Sequence, residues 1–159
     1  MKSPPQKIGR RAGGRPLALF LLFLLIGPAQ AQPDRAPSAL ELAGQPVPSL
    51  AAHPDVTVLL RSVARGRQTY VLRHLRAPEP GTLRVAEDRY VFGWTCDGGE
   101  CAEAGLFLGY DTRTERLYLL LLDEGVATLT VPTRRSPWPT PMAEAVLAMK
   151  PDLQHFHSE

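Results

Sequence analysis

The apolar run from Leu17 to Ile26 decides how much of this chain is left to fold. At about 1.5 Å per helical residue it reaches only about half of the roughly 20 residues that a bilayer-spanning helix needs. Lys2, Lys7, Arg10, Arg11 and Arg15 precede it, Gly27 and Pro28 break its helix, and Ala29-Gln30-Ala31 sets small residues at the positions a signal peptidase reads. The pattern predicts a cleavable secretory signal over residues 1–31 with the cut before Gln32, leaving no stable membrane span and placing the remainder outside the cytoplasm. Arg10-Arg11 is followed by Ala12-Gly13-Gly14, unlike the rest of a twin-arginine signal, which favours the general secretion route.

Export changes the charge. Taking those five residues from the 18 basic ones leaves 13 against 16 acidic, a net charge of about −3. The remaining basic side chains form no stripe and no nucleic-acid-reading motif, so nucleic acid is excluded as a partner class. Residues 32–159 suffice for one domain with its own core and are too few for two ordinary ones; 32–37 reads as a flexible start.

Along this domain the hydrophobic period changes. Ser38-Ala39-Leu40-Glu41 has the form of a capping box opening a short helix, which Gly44 and Pro46 stop. Between Pro54 and Arg65, Val56, Leu59, Leu60 and Val63 fall on one helical face, and Gly66 suits the helix end. Gln68 to Leu75 then reads as a strand, followed by a turn at Pro78 to Gly81 and an extended piece at Leu83 to Val85. In Arg89 to Thr95, Tyr90, Phe92 and Trp94 alternate onto one face that should be buried. Gly105 to Tyr110 and Arg116 to Leu122 form a further pair about the turn Asp111 to Glu115. The second is apolar on both faces, as a central strand is. Ala127 to Val131 closes the sheet. A last helix starts with Thr140 as N-cap and Pro141, sets Met142, Val146 and Met149 on one face, and stops before Pro151. The fold class is α+β: an antiparallel β-sheet meander flanked by helices, with one disulfide-closed protruding loop.

That loop is Cys96-Asp97-Gly98-Gly99-Glu100-Cys101. An exported chain meets oxidising conditions, so its two cysteines are expected to bridge. So short a closure contributes only about 2 kcal/mol on chain-entropy grounds, and its use is to fix a loop shape. The rival is a metal site completed by His155 and His157, but the four-residue spacing is not that of a zinc knuckle. No metal and no cofactor are expected. A stiff loop loses less entropy on docking, which suits recognition, while a clamped hairpin without a partner remains the plain alternative.

Tyr90-Val91-Phe92-Gly93-Trp94-Thr95 running into the cysteine loop, and then Leu106-Phe107-Leu108-Gly109-Tyr110, resembles the inhibitor of vertebrate lysozyme (Ivy) family of periplasmic proteins over about Ala39 to Glu124. In that family a strand enters a disulfide-closed loop of pattern C-K-P-H-D-C. The resemblance implies a periplasmic α+β domain that inserts this loop into the cleft of a C-type lysozyme, with a loop histidine and aspartate engaging the catalytic carboxylates, and it implies a possible homodimer. The partner-binding residues are then Asp97, Gly98, Gly99 and Glu100. The acidic position falls on Glu100, the lysine position on Asp97, and the histidine position on Gly99, so this is a divergent member lacking the loop histidine, from which weak inhibition of C-type lysozymes is expected. Two other readings stay open. An envelope adaptor would use the same loop for another protein. An enzyme would draw on Asp97, Glu100, Glu103 and Asp111 as carboxylates and on His53, His74, His155 and His157 as bases, but no nucleophile motif accompanies them, and no catalytic residue is assigned.

Overall fold

Strands that are apolar on both faces must be covered twice, and that requirement organises the molecule. In a computed structural model, which describes residues 37–98, 100–133 and 136–153, five antiparallel strands follow one another in chain order: β1 (Arg84–Ala86), β2 (Tyr90–Cys96), β3 (Gly105–Asp111), β4 (Arg116–Asp123) and β5 (Val126–Val131). The export signal expected over 1–31, the start at 32–36, Gly99, His155 and His157 lie outside the described residues.

One face of the sheet carries Val91, Leu106, Leu108, Tyr110, Leu117, Leu119 and Leu121, and the N-terminal segment packs on it. That segment consists of a single 3-10 turn (Ala39–Leu42), then α1 (Val47–Ala52), α2 (Pro54–Val63) and α3 (Gln68–Leu75). The opposite face carries Tyr90, Phe92, Phe107, Tyr118, Leu120 and Leu122, covered by Trp138 and by α4 (Thr140–Met149) through Met142, Ala143 and Val146. The register sets Trp94 opposite Phe107 and Phe92 opposite Gly109. A side chain at Gly109 would meet Met142 Sδ at 2.9 Å, so this glycine lets α4 lie close on the sheet. β4 meets β5 through Glu124-Gly125, both at positive φ (51° and 71°), the backbone of a tight hairpin.

Several details depart from expectation. Gln68–Leu75 is a helix: Val71 and His74 are buried while Tyr70 and Leu72 are exposed, a three-residue spacing toward the sheet that a strand does not give. Local β propensity in Thr69-Tyr70-Val71 yields to this packing. Ser38 does accept from the Leu40 N–H (3.4 Å), but the helix it caps is the single 3-10 turn. α4 is capped at Pro139 rather than Thr140, and its buried face is Met142, Ala143 and Val146, with Met149 38 % exposed. Trp94 is only half-buried, unlike Tyr90 and Phe92.

Because β4 is sealed on both sides, Leu120→Ala, which empties a fully buried site facing α4, is expected to cost about 3 kcal/mol. Val126→Ala, at a residue 62 % exposed on β5, is expected to stay within about 0.5 kcal/mol. Urea unfolding midpoints of the two variants check the contrast.

Candidate functional site

The two ends of the β2–β3 pair differ in kind. At one end Tyr90 stands opposite Asp111, and at the other Cys96 stands opposite Gly105, about 20 Å away along the strands. The Asp111 end is locked. Its carboxylate is buried (2 % exposed) and accepts from Arg89 Nε (2.8 Å) and Nη2 (2.7 Å), from Thr114 Oγ1 (2.6 Å), and from the Arg113 and Thr114 N–H groups (3.0 and 3.3 Å). The Arg89 bonds, followed by those from Thr114 and Arg113, hold this carboxyl far below the usual carboxylate range against the opposing effect of burial.

The Cys96 end carries the expected disulfide, Cys96–Cys101, across Cα atoms 4.7 Å apart. Asp97, Gly98 and Glu100 are exposed, while Cys101 is buried at the base. The stem is held from three directions. The Asp97 N–H donates to the Ala104 carbonyl (3.1 Å), and the Glu100 carbonyl accepts from the Glu103 and Ala104 N–H groups (3.0 and 2.9 Å). From the β4–β5 hairpin, the Gly125 N–H donates to the Glu103 carbonyl (2.8 Å), and from the end of α4, Lys150 Nζ lies 3.6 Å from Glu103 Oε1. From α3, Arg73 Nε lies 3.0 Å from Asp97 Oδ2 and Nη2 lies 3.9 Å from Asp123 Oδ1. A groove of about 690 Å³ runs beside the loop, with Phe92, Trp94, Cys96, Cys101, Thr82 and Met149 in its walls.

Beneath the Arg73–Asp97 pair sits His74, fully buried, with neither ring nitrogen hydrogen-bonded among the described residues. Its backbone carbonyl accepts from the buried Thr95 hydroxyl (2.9 Å), joining α3 to β2 just before the loop. Burial first, and the Arg73 charge second, push the imidazole below its ordinary value.

Of the residues considered for catalysis, Asp97, Glu100 and Glu103 cluster at the loop, but Asp111 is consumed at the far end of the strands. His74 is shut from solvent, and His53 Nε2 is engaged with the Pro37 carbonyl (2.8 Å). Among the described residues no group of three metal-ligating side chains forms, and no helix is long and apolar enough to cross a membrane. Arg73 and Lys150 were not singled out by sequence reasoning: each pairs with a residue more than 20 positions away, and no local signal marks such a pair.

The model of the family described as inhibitor of vertebrate lysozyme (Ivy) matches residues 55–152, more than half of the chain. The chain belongs to the Ivy family. No curated protein and no solved structure matches it. The match runs from α2 through the whole sheet and α4, reaching past Glu124 at its C-terminal end and leaving out the 3-10 turn and α1. The family's description is that of an inhibitor of vertebrate lysozyme.

His74 gives this region a pH dependence whose sign follows from its burial. Unfolded, the imidazole takes up a proton near pH 6.5, whereas folded it resists until the pH is lower. As pH falls from about 7.5 through that window, the unfolded chain binds more protons and stability is lost. His74→Leu is expected to flatten the dependence of the thermal midpoint between pH 7.5 and 5.5, and an equally steep decline in that variant assigns the effect to other groups.

Proposed function

We propose that this Ivy-family chain acts in the periplasm, where it binds a lysozyme-class or related cell-wall hydrolase through the Cys96–Cys101 loop, with Asp97, Gly98, Gly99 and Glu100 forming the contact surface. The observation that carries this reading is the contrast within the loop: Asp97, Gly98 and Glu100 are exposed, whereas the stem is tied to α3, to the β4–β5 hairpin and to α4. A segment so preorganised spends little of its contact energy on ordering. The export signal read over residues 1–31 supports the compartment.

The loop sequence sets the strength. A glycosidase cleft presents carboxylates, Gly99 offers no donor side chain in place of an imidazole, and Glu100 brings like charge. The unmodified protein is therefore a weak inhibitor of C-type lysozyme. Gly99→His is the informative variant, because Asp97→Lys would press a second cation against Arg73. One charge-assisted hydrogen bond contributes about 1.5 to 3 kcal/mol, so inhibition by Gly99→His in a cell-wall lysis assay is expected to improve about tenfold or more. No gain from Gly99→His removes the loop from the interface and favours an envelope adaptor. Nanomolar inhibition by the unmodified protein means that a surface outside the loop carries the binding.

A further inference from the structure

A loop whose charged side chains are Asp97 and Glu100 is badly matched to an acidic cleft, since both meet like charge there. The cation is supplied by another element. We propose that Arg73, in the last turn of α3, is the residue this protein presents to the carboxylates of its partner, and that Asp97 competes with the partner for it; this rests on the hydrolase-binding reading above.

Three observations place Arg73 in that role. Its side chain is 47 % exposed although it is paired with the loop, so it stands at the surface the loop occupies. Lys150, the other cation whose ion pair reaches the loop segment among the described residues, is 16 % exposed and turned toward Glu103. The geometry also suits a guanidinium. Asp97 Oδ2 is 3.0 Å from Nε, whereas Asp123 approaches Nη2 only to 3.9 Å, beyond a hydrogen bond. Arg carries five donors in a planar fork, so the Nε edge keeps Asp97 while the Nη groups turn to a second carboxylate. Finally, the fork is held in place. Its Cζ lies 5.5 Å from the centre of the Tyr70 ring, and the helix beneath is fastened to β2 by the Thr95 to His74 bond. A guanidinium positioned before docking loses less freedom when it binds.

This role differs from that of a strut holding the loop. A strut depends on both partners equally, so Arg73→Ala and Asp97→Asn would weaken binding to the same degree. A recognition cation does not: Asp97→Asn frees the fork and removes a repelling charge, and binding holds or tightens.

The test measures the affinity of the purified protein and its variants for a C-type lysozyme by titration calorimetry, with thermal midpoints confirming folding. Arg73→Ala and Arg73→Gln are expected to weaken binding about tenfold or more, Arg73→Lys to recover part of the loss, and Asp97→Asn to bind at least as well as the unmodified protein. Arg113→Ala, in the turn at the opposite end of β3, changes net charge equally and is expected to alter affinity less than twofold. Equal losses in the Arg73→Ala and Asp97→Asn proteins overturn the proposal in favour of a strut. Unchanged affinity in Arg73→Ala, or a matching loss in Arg113→Ala, overturns it outright while leaving hydrolase binding intact. Absence of C-type lysozyme binding by the unmodified protein overturns this inference for that target and leaves the hydrolase reading to the lysis assay of the Gly99→His variant.

Discussion

From Leu117 to Leu122 every side chain of β4 is buried, three toward the helices before the sheet and three toward α4. A strand in that position cannot leave either face to water. Each of these side chains is worth about 1.5 to 3 kcal/mol of transfer energy that exposure would forfeit. The chain meets the demand with two unequal covers: three short helices and a 3-10 turn on one side, one helix and Trp138 on the other. α3 exists as a helix because of this. Its Val71 and His74 are drawn to the sheet at helical spacing, and that same turn delivers Arg73 to the loop.

The sheet also separates two demands on buried and exposed charge. Asp111 and Arg89 close one end of β2 and β3 with a fully hydrogen-bonded carboxylate, where a missing partner would strand a charge in the interior. The Cys96 end keeps the Arg73–Asp97 pair half-exposed at the surface, where ion pairs contribute little to stability.

Much of the fold is legible in the residues. The aromatic alternation of Tyr90, Phe92 and Trp94 marks β2, the continuous apolar run marks β4 as central, and the cysteines that share a hairpin loop are bridged. The helix periodicity of Val56, Leu59, Leu60 and Val63 gives α2. The segment 68–75 was not legible, because its β-branched and aromatic start outweighs a helical spacing that rests on only two buried residues, one of them a histidine. The loop was recognisable from its cysteines, yet its surroundings were not. Arg73, Lys150 and the Gly125 N–H reach it from three distant stretches of chain, and only the packed sheet brings them there.

Gly98 and Glu100 are exposed at the tip, whereas Cys101, just behind them, is part of the interior. Substitutions at the tip therefore spare the core, while those one residue further on are felt by the whole domain. Exposed loop positions such as Glu100 can therefore change without compensating changes in the interior, whereas Gly98, at a φ of 77°, resists a side chain for a backbone reason of its own.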